Sequence, residues 1–169
     1  MSAASCQPGV LAPPCAFGRS LSFQLKSDVD FRVGLRSLQH SFVPDWGVVG
    51  LGEPLVRALG ATVPGLRTFP ALSGPGCVVP STQQALWIFV GADDRSAVFE
   101  RSEAVVALLA RAFDLVDAVD TFKYRDGRDL TGYEDGTENP SPEDSVGVAL
   151  VGNETPGLGG SSFVAVQRW

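Results

Sequence analysis

The sequence predicts an α+β fold of the ferredoxin-like, split βαβ type, an antiparallel sheet carrying its helices on one face. Three observations lead there. Hydrophobic periodicity runs strand, helix, strand, then strand, helix, strand over the first 122 or so residues. A long stretch rich in proline and glycine, 60–83, separates the two halves. The composition, 44% hydrophobic against 19% charged, suits a packed domain and is too apolar for a disordered chain.

The elements follow in order. Residues 1–18 are punctuated by Pro8-Gly9, Pro13-Pro14 and Gly18 and read as an extended arm. Leu21, Phe23 and Leu25 alternate with Ser22 and Gln24, the period-two pattern of a half-buried strand. Asp28 is placed to cap a helix whose apolar positions are Phe31, Leu35, Leu38 and Phe42, and Pro44 ends it. Trp46 to Leu51 is a short apolar run fitting a buried strand. Its glycines, Gly47, Gly50 and Gly52, lack the spacing of the dinucleotide fingerprint, and no acidic residue follows about 20 positions on, so a Rossmann reading is rejected. Glu53 to Leu59 forms a short helix closed by Gly60. The 60–83 loop is long enough to be a functional or interaction element, with room for a short extended piece. Leu86 to Val90 is an apolar strand. Asp93-Asp94 caps a helix with Val98, Val105, Leu108, Leu109 and Ala112 on one side, and Leu115 to Phe122 is the last strand of the unit.

Residues 1–18, 19–122 and 123–169 are thus expected to be an arm, a ferredoxin-like domain and a further segment. That segment holds a loop, a helical turn after Pro142, the cluster Gly157-Leu-Gly-Gly160 and a final strand from Phe163 to Trp169.

Charge narrows the function. The net charge is −6, but the window from Asp114 to Glu154 carries eleven acids against three bases. An acidic chain without a basic stripe argues against a nucleic-acid partner. No apolar run approaches the ~20 residues of a membrane span. The first residues lack a basic region followed by an apolar one, so a cytoplasmic location is expected. Cys6, Cys15 and Cys77 show no metal or redox spacing, and Cys77, ahead of Val78-Val79, reads as buried filler.

The most informative stretch is Asp129-Leu-Thr-Gly-Tyr-Glu-Asp-Gly-Thr-Glu-Asn-Pro140, a glycine-hinged loop bearing Glu134, Asp135 and Glu138. An aspartate beside glycine in such a loop can be presented into a cavity as an acid–base group. Pattern alone favours a plain Asp-Gly turn. The acids lack EF-hand spacing, which leaves a calcium loop only weakly supported.

Gly132-Tyr-Glu-Asp-Gly136, continued through Thr137-Glu-Asn-Pro140, resembles the G-x-x-D-G signature of dye-decolourising (DyP-type) heme peroxidases. Gln7 to Ala12, Val48 to Gly52, Leu66 to Pro70, Pro80 to Thr82 and Gly160 to Trp169 resemble that family in the same order, so the likeness covers essentially the whole chain. It implies two ferredoxin-like domains, of which 123–169 starts the second, with heme b held there. It implies that Asp135 lies on the distal side, takes a proton from one oxygen of H2O2 and returns it to the other so that water leaves. Gly132, Tyr133, Glu134, Gly136, Thr137 and Glu138 would line the distal side. Small organic donors such as dyes and phenols would supply electrons, best at acidic pH. A homo-oligomer and an encapsulating shell protein would be the partners. Tyr133, Tyr124 and Trp169 are conceivable electron relays, though each reads better as core or surface.

The family's axial histidine and distal arginine lie downstream of the matching segment. The single histidine, His40, sits about 200° round its helix from Leu38 and reads as solvated rather than as an iron ligand. No metal-ligating residue is therefore assigned, and the 169-residue chain is expected to bind heme poorly and to lack peroxidase activity. The alternative is a non-catalytic binding or assembly module, pairing through sheet edges or the 60–83 loop.

Overall fold

A computed structural model describes residues 6–167. Its centre is a four-stranded sheet of β1 (Phe17–Leu25), β2 (Gly47–Leu51), β5 (Leu86–Ala92) and β6 (Phe113–Phe122) in the order β2-β5-β1-β6, with every neighbouring pair antiparallel. Two helices, α1 (Phe31–Ser41) and α3 (Arg95–Leu109), connect β1 to β2 and β5 to β6. This is the split βαβ arrangement that the periodicity predicted.

The core lies between one sheet face and these helices. Leu21 and Phe23 of β1 meet Leu86, Ile88 and Val90 of β5, and Leu38, Val105, Leu109, Ala112 and Phe113 close over them. Phe31, Leu35 and Phe42 pack against its rim, so the whole apolar stripe of α1 is used. Within α3 the one buried polar side chain, Ser102, donates its hydroxyl to the Val98 carbonyl at 2.6 Å, four residues back, so its burial leaves no orphan. On the other face the Trp87 indole N–H donates to Ser20 Oγ at 2.8 Å.

Helix starts follow capping chemistry, with one correction. Asp94 caps α3, accepting from the amides of Ser96 and Ala97. The cap of α1 is Asp30, which accepts from the Arg32 amide at 3.0 Å, and not Asp28. Asp28 lies two residues earlier at φ 57°, in the tight turn that delivers the chain to the cap.

The glycines of β2 serve packing. A Cβ at Gly52 would run into the carbonyl oxygen of Gln84, so this position is closed to any other residue while β2 leads into α2 (Glu53–Ala58) beside β5. The arm is not wholly extended: Pro8–Val10 form a 3₁₀ turn, and its first five residues lie outside those described. Gln7 clasps the outer strand, its amide donating to the Val49 carbonyl and accepting from the Val49 amide, each at 2.8 Å. That pair of bonds occupies part of an otherwise open sheet edge.

The 60–83 stretch contains a small hairpin, β3 (Leu72–Gly74) with β4 (Cys77–Val79), in which every residue is exposed. Cys77 is therefore a surface thiol and not core filler. Its apolar neighbours Val78 and Val79 imitate a buried strand in sequence, but three-residue strands on a loop have nothing to pack beneath. After Phe122 the described residues hold α4 (Ser145–Ala149), turns and a single isolated bridge, with no further strand. The expected strand from Phe163 does not form through Gln167, for no neighbouring strand offers it a ladder; Arg168 and Trp169 lie outside the described residues.

Candidate functional site

The loop that carries the candidate acid follows directly from the sheet. Lys123 ends β6's pairing by donating its amide to the Ala16 carbonyl at 2.8 Å, and Tyr124 opens a turn closed by the amides of Gly127 and Arg128. The chain then folds back on itself. Arg128 and Glu134 form an isolated antiparallel bridge, and the Asp135 amide donates to the Gly127 carbonyl at 3.3 Å.

At the closed end of this small ladder sits Asp129. Its Oδ1 accepts from the Thr131 amide (2.9 Å), the Thr131 hydroxyl (2.7 Å) and the Tyr133 amide (3.0 Å). The Asp129 amide donates to the Tyr133 carbonyl at 3.0 Å, and its carbonyl accepts from Gly132. Arg128 Nη1 adds a bond to the Gly132 carbonyl at 3.1 Å. Gly132 has φ 96°, a conformation that a side chain would strain. The Thr131 hydroxyl is the first cause holding the Asp129 carboxyl below its ordinary range; desolvation opposes it, and the amides of Tyr133, Thr131 and Gly132 add to it.

Asp135 follows this turn. Its Oδ1 accepts from the Gly136 amide at 2.8 Å, and among the described residues Oδ2 has no partner. The residues named as distal-side lining, Gly132, Tyr133, Glu134, Gly136, Thr137 and Glu138, all lie on one contiguous exposed loop with Asp135. Tyr133 is 77% exposed, which places it at the surface, whereas Tyr124 is half-buried under the Arg125 guanidinium. Trp169 lies outside the described residues. The loop's acids are not gathered for a cation: among the described residues no group of three or more His, Cys, Asp or Glu could hold a metal ion.

His40 is exposed on α1, with Nδ1 2.6 Å from the Arg36 carbonyl oxygen of its own helix. It does not approach the loop by any bond of the structure. Two features escaped the sequence reading. Asp129 is one; an aspartate two residues ahead of a threonine and three ahead of a glycine is an Asx-turn signature that could have revealed it. The other is an open cleft of about 370 Å³ lined by Phe17, Arg19, Arg95, Phe99 and Asp120, to which no loop residue contributes. Among its lining residues Arg19 and Asp120 form an ion pair at 2.6 Å, and no sequence pattern flagged it.

Comparison with known proteins bears on the same loop. A family model described as Dyp-type peroxidase, C-terminal, matches residues 126–169. A dye-decolorizing peroxidase of Rhodococcus erythropolis is 36% identical over 148 residues, covering 83% of this chain and 43% of that protein. One of Mycolicibacterium paratuberculosis is 36% identical over 104 residues, covering 62% of this chain and 29% of that protein. Among solved structures, a variant of Rhodococcus jostii DypB in complex with heme superposes with a TM-score of 0.80 at 31% identity, covering 91% of this chain and 54% of that one. The chain thus spans less than half the length of these curated relatives. Among the described residues no helix is long and apolar enough to cross a membrane.

Proposed function

The chain belongs to the DyP-type peroxidase family, and from that premise we propose that it supplies the first domain and the proton-carrying loop of a heme peroxidase. Residues 19–122 are then the first ferredoxin-like domain and 123–169 the opening of the second. The observation that carries the reading is Asp135, presented on an ordered, glycine-hinged loop inside the segment matched by the family model.

Heme b is the group this reading calls for, and the residues described do not by themselves hold it. The only histidine of the sequence is committed to the surface of α1, and no cluster of metal-ligating side chains is present among the described residues. The reading therefore assigns no ligand to iron among the described residues. What remains to this chain is proton handling. Oδ2 of the Asp135 carboxylate would accept a proton from one oxygen of H2O2 and return it to the other so that water can leave. Heme, where bound, would supply the two electrons that O–O cleavage consumes and a place for the oxygen left behind. Oδ1 stays tied to the Gly136 amide, which leaves the carboxyl one working oxygen and a fixed direction. Gly132, Tyr133, Glu134, Gly136, Thr137 and Glu138 line the approach to it. Small organic donors, a homo-oligomer and an encapsulating shell complete the reading, and the resemblance alone supports them.

Adding heme to the purified 169-residue chain tests this. The expected result is weak, non-saturating absorbance change and no peroxide turnover. A histidine-ligated Soret band with rapid turnover from this chain alone overturns the division of labour.

A further inference from the structure

We propose that Asp129 is the positioning residue of the candidate site, its carboxylate fixing the backbone from which Asp135 projects; this rests on reading Asp135 as the proton-carrying group. Asp129 and Tyr133 are tied twice, by the Asp129 amide to the Tyr133 carbonyl and by the Tyr133 amide to Asp129 Oδ1, each at 3.0 Å. Between them Gly132, at φ 96°, is the residue with most freedom to lose and so the point at which the loop would open first.

Beyond that closed end the ladder is slight. It consists of the Arg128–Glu134 bridge and the 3.3 Å bond from the Asp135 amide to Gly127. No side chain from 123 to 149 is buried, so no packing substitutes for these bonds. The order of the loop therefore passes from Asp129 through Tyr133 to Asp135. The Thr131 hydroxyl, first among the causes, holds the carboxyl below its ordinary range, so it stays ionised further into acid than an ordinary aspartate would.

All three bonds converge on a single oxygen, Oδ1. That makes the role separable from bulk or charge: an asparagine retains an acceptor at that place, and an alanine does not. The test is the rate of amide exchange with solvent, measured by NMR on the full 169-residue chain as wild type, Asp129→Ala and Asp129→Asn. In the alanine variant, exchange at Thr131 and Tyr133 should rise roughly tenfold or more, and the rise should extend to Asp135 and Gly136. The asparagine variant should stay within about threefold of wild type at all four. Amides of Leu21 and Ile88, in the buried sheet, should not change in either.

Faster exchange confined to Thr131 and Tyr133, with Asp135 and Gly136 unmoved, would overturn the proposal, as would an asparagine variant as loose as the alanine one. Should the alanine variant also loosen Leu21 and Ile88, Thr131→Val decides, since it deletes only the hydroxyl bond; a rise at Asp135 supports the proposal and its absence overturns it. None of these readouts needs heme. An Asp135→Asn substitution without effect on peroxide cleavage in a heme-loaded, longer protein would remove the role of Asp135 and leave the exchange results intact.

Discussion

The sheet unit, 17–122, and the segment after it, 123–167, are ordered by different forces. In the first, Leu86, Ile88, Val90 and Leu109 are wholly buried, and partners come from strands and helices distant in sequence. In the second, Leu150 is the one buried hydrophobic among the described residues, and most hydrogen bonds join residues within ten positions of each other. Burial gives the first unit a cooperative core, worth about 25 cal/mol for each Å² of apolar surface removed from water. The second has local bonds, each worth only about 1 kcal/mol net. The candidate chemistry lies in the weakly held part. On such an exposed loop the geometry of the candidate acid is set by polar clamps and not by a core.

The largest effect should separate the two regions outright. Phe113 is 1% exposed at the start of β6, packed with α1 and β1. Truncation by Phe113→Ala should cost about 3–5 kcal/mol of unfolding free energy in urea titrations. Under native conditions the exchange rates at Thr131 and Tyr133 should stay within a few-fold of wild type. If those amides loosened in step with the sheet, the two regions would be one cooperative unit and the contrast would fail.

An intermediate effect tests whether local bonds matter more when a core lies behind them. Asp94 caps α3 with bonds to two amides, and α3 supplies Val98, Val105 and Leu109 to the core. Asp94→Ala should cost about 1 kcal/mol of global stability by urea titration. Asp129, which gathers three donors, should shift the urea midpoint less when replaced by asparagine, because its bonds close no element of the packed unit. A midpoint shift there as large as that of Asp94→Ala would show that the loop and the sheet share their stability.

The same division explains what could be read from the sequence. Leu21, Phe23 and Leu25, and Phe31, Leu35, Leu38 and Phe42, show the periods of strand and helix because burial imposes them, and their elements were legible. Phe163 to Gln167 carries apolar residues of the same kind, yet a strand exists only with a partner, and periodicity says nothing of one. Cys77-Val-Val79 failed for a related reason: it has the composition of a core strand but lies on a hairpin with nothing beneath. In the loop, Gly132, Asp135 and Gly136 were visible as hinge residues and acid. The part played by Asp129 was hidden because it lies in side-chain bonds to Thr131 and Tyr133, which leave only a faint turn signature.

The smallest effect contrasts two aspartates whose carboxyls are both held below their ordinary range, Asp120 in the sheet and Asp129 in the loop. Asp120 lies directly across from Arg19 in the β1–β6 ladder, and its hydrogen bond from that guanidinium is the largest cause of the shift. Burial opposes the shift, and the charges of Arg19 and Arg95 add to it. A carboxyl whose folded value is depressed binds fewer protons in the native state than in the unfolded one. The stability it contributes is complete above the ordinary carboxylate value, near pH 4, and fades as pH falls through the lower folded value. The Asp120 side chain is 54% exposed, so solvent screening keeps the contribution below about 1 kcal/mol. Asp120→Asn should therefore lower unfolding free energy by less than about 1 kcal/mol at pH 7, with the gap from wild type narrowing at pH 3 and in high salt. Asp129→Asn should show a gap of the same sign but smaller, because the same linkage holds for its depressed carboxyl while its full exposure screens the contribution. A gap for Asp120 that persists undiminished at pH 3 would mean that its contribution to the sheet is steric and not ionic.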